Sequence, residues 1–276
     1  MAVSRQDSER PPSEMTTESP VEPFGIRRGE DVDEDSHMRI KFDPLARKMI
    51  AEFIGTIVYT FIGALSATSG AGVTGSAFAH GLIIAVVTCS FGHISGGHFN
   101  PAVTLGVYLS GYLQLVTAIA FVGAQLLGGF VGGLLIRAVA GDNSYMMISG
   151  GATIIPETTE IYQGVICELV LTYIVVNSAL MSATDTNSNV LAPLAVGLSY
   201  SLSIFAAGAL TGASMNPARS LGPCISASIF ADHTKLPVGK IWGKHYIYWV
   251  GPALGAALGA LLYRLFLAKE EKRILL

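Results

Sequence analysis

Six long apolar segments alternate with shorter polar connections along most of the chain. Each segment holds about 20 residues with few charges, which is the length that an α-helix needs to cross the hydrocarbon core of a bilayer. The pattern therefore predicts six membrane-spanning helices, at about 46–67, 76–94, 113–139, 161–181, 190–210 and 245–267.

A repeated Asn-Pro-Ala motif predicts two shorter helices, which follow the second and fifth segments at about 100–109 and 216–229. Asn is a favoured N-cap, and Pro suits the first helical position because its missing N–H would be unpaired there. Each motif follows a Gly/Ser-rich stretch, and such irregular backbone is tolerated at membrane depth only inside protein or beside a wet cavity. Helices that start there direct N–H groups and positive dipole ends into a low-dielectric space, which suits a site for a small polar solute.

The two halves of the apolar region repeat each other. Glu52 and Glu168 are 116 residues apart, and so are Asn100 and Asn216. A unit of three spans ends on the side opposite to where it began, so the second copy is inverted. The two short helices are therefore expected to enter from opposite faces and to meet near the midplane, an architecture found in transport proteins.

Gly-x-x-x-Gly pairs mark the third and sixth segments. They begin at Gly128 and Gly255, which are 127 residues apart, so the second half carries 11 additional residues. We place this insertion in the 226–243 loop. Small residues at this spacing favour close helix crossings in lipid.

Composition distinguishes the two ends of the chain from its body. The chain has 276 residues, of which 51% are hydrophobic and 13% charged, and most of the charge lies near the ends. Residues 1–42 have too little apolar surface to order themselves, so we expect a disordered tail there and a second, short tail at 269–276. Lys and Arg residues flank the start of the first segment and the end of the sixth, which predicts that both termini are cytoplasmic.

Nothing in the chain predicts an enzyme. The three cysteines lack metal-ligand spacing, and no nucleophile–base pair or phosphate-binding loop is present. We therefore expect no catalytic residue, metal or cofactor, and no binding to nucleic acid.

The residues around the two asparagines resemble the aquaporin (major intrinsic protein) family, and within it the aquaporin-8 class. The resemblance rests on His-Ile-Ser-Gly-Gly-His-Phe-Asn-Pro-Ala-Val-Thr at 93–104 and Met-Asn-Pro-Ala-Arg-Ser-Leu-Gly at 215–222, and it covers about 46–268. It implies an all-α membrane protein in which six transmembrane helices and two half-helices form an inverted repeat around an hourglass pore. Residues 43–268 would form this channel domain, with repeats at about 46–139 and 161–267, and the channel would assemble as a homotetramer.

The resemblance also implies three groups of pore residues. The motif residues that would line the pore are Asn100, Pro101, Ala102, Asn216, Pro217 and Ala218. The expected selectivity filter consists of His80, Ile204, Ala213 and Arg219. The backbone carbonyls expected to accept hydrogen bonds from solutes belong to Gly96, Gly97, His98, Phe99, Gly212, Ala213, Ser214 and Met215.

Three charged residues inside the apolar segments have two interpretations each. Glu52 and Glu168 are expected to accept backbone N–H groups of the two pore loops, and a proton relay is the alternative. Arg219 lies one turn after Asn216 and so on the same helix face. A charge within the bilayer is costly and marks function, with a structural ion pair as the alternative.

These observations predict a passive water channel that also passes ammonia, hydrogen peroxide or both, and that excludes protons and ions. The filter set looks like that of the aquaporin-8 class and some plant vacuolar aquaporins, which are associated with those solutes. Ser220 stands where glycerol channels typically carry Asp. A channel mainly for glycerol or urea, and an ion-coupled carrier, remain the alternatives. The expected location is the plasma membrane, with an intracellular membrane as the alternative.

Overall fold

The structure, a computed structural model, describes residues 43–185 and 189–274, and within these ranges the chain forms ten α-helices and no strand. The helices are α1 Pro44–Leu65, α2 Gly72–Ser95, α3 Pro101–Leu109, α4 Leu115–Val139, α5 Asp142–Met147, α6 Ile161–Ser178, α7 Ala192–Thr211, α8 Pro217–Phe230, α9 Val238–Trp242 and α10 Ile247–Leu262. The tail predicted at 1–42 lies outside the described residues.

Six helical segments are long and apolar enough to cross a membrane. They are Pro44–Ser69, Gly72–Ser95, Leu115–Val139, Ile161–Thr184, Ala192–Thr211 and Val238–Leu267. These segments confirm the predicted all-α membrane fold. The half-helices α3 and α8, of 9 and 14 residues, match the two short helices predicted from the Asn-Pro-Ala motifs.

Both half-helices begin at an asparagine that caps its own helix. Asn100 Oδ1 accepts a hydrogen bond from Ala102 N at 2.8 Å, and Asn216 Oδ1 accepts one from Ala218 N at 3.0 Å. A proline follows each asparagine at the first helical position, where it loses no hydrogen bond. The Oδ1 atom of each asparagine thus accepts hydrogen bonds within its own helix, and the NH₂ group is left to donate to other partners.

The inverted repeat reappears in the packing of α1 on α4 and of α6 on α10. Gly128 of α4 lies against the carbonyl group of Phe53, and Gly255 of α10 lies against that of Leu169. Phe53 and Leu169 are 116 residues apart in sequence, the same offset as the two asparagines. The absence of a side chain at each glycine lets the two helix backbones approach closely.

The 226–243 region, in which we place the insertion of the second half, is partly helical. α8 ends at Phe230, one residue after the predicted 229, and α9 occupies part of the remainder. The Trp242 indole N–H donates to Ser228 Oγ at 2.8 Å, which joins α9 to the last turn of α8. Helical structure satisfies the backbone of the inserted residues, which a long loop would leave exposed.

The two repeats meet where α2 crosses α7. Gly81 and Gly197 face each other there, and a Cβ atom on Gly81 would lie 2.5 Å from the Gly197 carbonyl oxygen. One turn away, Ser201 Oγ donates to the Ala77 carbonyl oxygen at 3.0 Å. The crossing therefore has no room for even one additional methyl group.

We expect the substitution Gly81→Ala to destabilise the protein by about 1–3 kcal/mol, the usual cost of overpacking a close contact. The measurement is the apparent midpoint of thermal unfolding in detergent. Gly123→Ala is the matched control, because Gly123 is also helical but has no atom within 4 Å of the added Cβ. Equal midpoints for the two variants would contradict the close crossing.

Candidate functional site

Glu168, on α6, is fully buried and holds the loop that leads into α8. Its carboxylate accepts hydrogen bonds from Thr211 Oγ1 at 2.7 Å, from Ser214 N at 3.0 Å and from Met215 N at 2.8 Å. The carboxylate oxygens thereby provide acceptors for backbone N–H groups that could not reach water at this depth. Both carboxylate oxygens of Glu168 accept hydrogen bonds from the loop, so this carboxylate has a structural role in this geometry.

Glu52, on α1, does the same for the loop that leads into α3. It accepts from Ser95 Oγ at 2.6 Å, His98 N at 2.9 Å and Phe99 N at 2.6 Å. Each of these donors lies 116 residues before its counterpart at Glu168. One further donor, Gln125 Nε2 at 2.8 Å, has no counterpart among the three protein donors to Glu168.

The backbone of both loops takes left-handed conformations that are rare for residues with side chains. Phe99 has φ of 47° and its counterpart Met215 has φ of 51°, while Gly96 and Gly212 have φ of 99° and 81°. Glycine adopts these angles without strain, whereas a residue with a Cβ pays about 1–2 kcal/mol. The bonds to the buried carboxylates hold the loops in this conformation.

The carbonyl oxygens of the two loops are potential hydrogen-bond acceptors. In the part of the chain that the structure describes, no backbone donor outside the regular helices bonds to the carbonyl oxygens of Gly96, Gly97, His98, Gly212, Ala213 and Ser214. Gly96, Gly97 and His98 line a narrow cavity of about 20 Å³, together with side chains of α2, α3 and α7. Such a volume holds about one water molecule, so these oxygens can act as acceptors for a small solute.

The two asparagines meet head to head between the loops. Asn216 Nδ2 donates to the Phe99 carbonyl oxygen at 2.8 Å, and Asn100 Nδ2 donates to the Met215 carbonyl oxygen at 2.8 Å. Each amide is thus fixed by the loop of the opposite repeat. The N-terminal ends of α3 and α8 point at the same place, and each carries a positive partial charge of roughly half an elementary charge.

A second, wider cavity lies on the other side of the asparagines. This filter cavity has a volume of about 260 Å³ and is lined by Ala67, Gly72, Val73, Ser76, His80, Ile204, Gly208, Gly212 and Arg219. Three of the four predicted filter residues therefore line one cavity. Ala213, the fourth, is buried, and the neighbouring Gly212 lines the cavity in its place.

Arg219 extends from the first turn of α8 into the filter cavity and is 9% exposed. Its Nη1 donates to the Gly151 carbonyl oxygen and to Thr153 Oγ1, both at 2.9 Å. Within 43–185 and 189–274, no carboxylate lies within ion-pair distance of the guanidinium. Its positive charge therefore acts on whatever enters the cavity.

His80 faces Arg219 across the filter cavity. The ring Nδ1 lies 2.8 Å from the Ser76 carbonyl oxygen, which can only accept, so Nδ1 carries the proton. The ring Nε2 lies 3.4 Å from Arg219 Nε and accepts from it. His80 is thus assigned as the neutral tautomer, and the two side chains are hydrogen-bonded partners and not two like charges.

Sequence reasoning missed the residues that hold Arg219 and one that bonds Asn100. Gly151 and Thr153 lie in the connection between the repeats, where only a glycine pair hints at an unusual backbone. Tyr200 on α7 accepts a hydrogen bond from Asn100 Nδ2 at 2.7 Å. Its place in an apolar segment marks it only as a core residue, because the contact joins residues 100 positions apart.

An inverted repeat in which two half-helices meet, with a cavity beside each pore loop, is the architecture of a membrane channel. The family model described as Major intrinsic protein matches residues 39–263. The chain belongs to this family, the aquaporins, and is an integral multi-pass membrane protein with the passive-channel architecture of that family.

Known relatives agree with this assignment. Aquaporin-8 of Rattus norvegicus is 35% identical over 240 residues, which cover 85% of this chain and 87% of that protein. Aquaporin TIP1-2 of Musa acuminata is 35% identical over 228 residues, which cover 78% of this chain and 84% of that protein. The X-ray structure of the aquaglyceroporin from Plasmodium falciparum is similar, with a TM-score of 0.68 over 79% of this chain and 95% of that chain. At 22% identity this likeness concerns the fold alone.

We expect the substitution Glu168→Gln to loosen the loop before α8, because an amide oxygen cannot replace two carboxylate oxygens as acceptors. A buried N–H left without a partner costs about 1–3 kcal/mol. Thermal unfolding in detergent measures the loss, and Glu157→Gln, at an exposed position, is the control. Unchanged stability of the Glu168→Gln variant would argue against the structural role of this acid.

Proposed function

We propose that this protein is a passive water channel that also passes ammonia, hydrogen peroxide or both, and that excludes protons and ions. The observation that carries the proposal is the meeting of two asparagine-capped half-helices beside an arginine that no described carboxylate neutralises. A neutral solute finds a donor in the side-chain amide of Asn216 and acceptors in the loop carbonyls along this path. A cation meets only positive potential from the helix ends and from Arg219.

The filter residues support small neutral solutes. His80 and Arg219 are polar but engaged with each other, and Ile204 adds an apolar wall. Ammonia and hydrogen peroxide are about the size of water and can exchange hydrogen bonds with these groups. The similarity of the chain to aquaporin-8 and to TIP proteins supports the same solute range.

The fold also supports the proposed assembly and orientation. We place both termini in the cytoplasm, because an even number of spans returns the chain to its starting side and the flanks there are rich in Lys and Arg. Numerous exposed apolar side chains on the spanning helices are available to lipid and to further copies in a homotetramer. The plasma membrane is the location that we propose.

We expect the purified protein to raise the osmotic shrinking rate of proteoliposomes severalfold over empty vesicles and to lower the activation energy below that of bare lipid. Stopped-flow light scattering measures both. Voltage clamp of oocytes that contain the protein should record no current. Shrinking no faster than empty vesicles would refute the water channel, and a current that depends on Glu52 or Glu168 would favour an ion-coupled carrier.

We expect the substitution His80→Ala to widen the filter cavity and to raise urea permeability relative to water by about threefold, which corresponds to a barrier lower by about 0.65 kcal/mol. Parallel stopped-flow measurements with urea and mannitol gradients give the ratio. His233→Ala is the control, because His233 bonds only backbone carbonyls in the connection after α8. A ratio unchanged from the natural protein would show that His80 does not set the filter size.

A further inference from the structure

Tyr200 lies on the face of α7 that borders the channel. Residues four apart share one face of a helix, and Val196, Tyr200 and Ile204 have this spacing. Val196 and Tyr200 line the narrow cavity, whereas Ile204 lines the filter cavity. Tyr200 therefore stands between the filter and the far half of the channel, at the level of the asparagines.

The hydroxyl group of Tyr200 makes the hydrogen bonding of Asn100 different from that of Asn216. Asn100 Nδ2 donates one N–H to the Met215 carbonyl oxygen and the other to Tyr200 Oη, at 2.8 and 2.7 Å. Asn216 Nδ2 donates to the Phe99 carbonyl oxygen, and in the described ranges its second N–H has no protein acceptor. The NH₂ group of Asn100 is thus fully used, and the Tyr200 O–H can donate in its place.

Tyr59 of α1 supports the Tyr200 ring from the side. Their ring centroids are 5.7 Å apart at an interplanar angle of 67°, and Tyr59 makes a similar edge contact with His80. Gly55 and Gly63, one turn before and after Tyr59, lie against the rings of Phe99 and His80. This face of α1 therefore lies beside His80 and Tyr200, and Tyr59 contacts the Tyr200 ring on one side.

The cavity beside Tyr200 is the smaller of the two. The filter cavity measures about 260 Å³, whereas the narrow cavity beside Tyr200 measures about 20 Å³. Val103, Val107 and Ile84 complete the wall of the narrow cavity. Since a water molecule needs about 10–15 Å³ of such space, the narrow cavity has room for about one water molecule beside Tyr200.

We propose that Tyr200 is a second size-selecting residue of the channel, in series with the filter, and that its hydroxyl replaces one amide N–H of Asn100 as donor to the solute. The inference rests on the proposed water channel and names its solute class, which is neutral molecules of water size. Polyols such as glycerol are excluded beside Tyr200 even when they enter the filter cavity. The hydrogen bond from Asn100 holds the ring across the path.

The test compares glycerol and water permeability of proteoliposomes that contain Tyr200→Val, Tyr200→Phe or the natural protein. We expect Tyr200→Val to raise glycerol permeability about tenfold, because it removes the ring. Tyr200→Phe keeps the ring but loses its anchor, so the rise should be about twofold. Tyr145→Phe is the control, since Tyr145 is equally buried and its hydroxyl bonds Ser226 away from both cavities.

The double variant His80→Ala/Tyr200→Val tests the series arrangement. In each single variant the unchanged constriction still limits the flux of glycerol. Opening both constrictions should therefore raise glycerol permeability by more than the sum of the two single effects. If the Tyr200→Val variant retains water flux and its glycerol permeability equals that of the natural protein, the proposal is overturned while the water channel remains intact. Absence of water flux in the natural protein would instead overturn the proposed function.

Discussion

A polypeptide that turns at membrane depth must provide partners for its own N–H groups, because lipid offers none. Glu52 and Glu168 meet this requirement for the two pore loops, and the rest of the channel depends on it. With the N–H groups held by the carboxylates, both loops keep the conformation from which the two half-helices begin. The positions of Asn100 and Asn216 depend on the conformation of these loops, since each side-chain amide donates to a carbonyl oxygen of the opposite loop.

The same constraint explains why so much of the fold is predictable from sequence. Length and hydropathy identify membrane spans, and Asn-Pro pairs identify helix starts, because both depend on local chemistry. The shared offset of 116 residues then relates the halves without any structure. Arg219 is predictable because it lies one turn from Asn216 on the same helix. The short helix α9 is not, because sequence offsets count inserted residues without giving their conformation.

Other parts of the site cannot be predicted from a local sequence pattern. Thr153 and Gly151 hold the guanidinium of Arg219, but they belong to a connection whose path depends on tertiary packing. Ala213 is buried and is absent from the wall of the filter cavity, whereas the adjacent Gly212 lines it, and sequence position does not distinguish these two neighbours. The contact of Tyr200 with Asn100 joins two repeats, and an apolar segment gives no indication of which tyrosine will reach a polar partner.

The backbone of this channel is nearly symmetric, but its charge is not. The residue that corresponds to Arg219 in the first repeat is Val103, which lines the narrow cavity. A cation that arrives through the filter cavity therefore meets the guanidinium at once. The narrow cavity on the opposite side has no Lys, Arg, Asp or Glu among its lining residues, so a cation from that side meets no such charge there before the helix ends. In the channel that we propose, the two entrances would therefore reject the same ion at different depths, and a cation would rest farther inside on the side where the first repeat supplies valine.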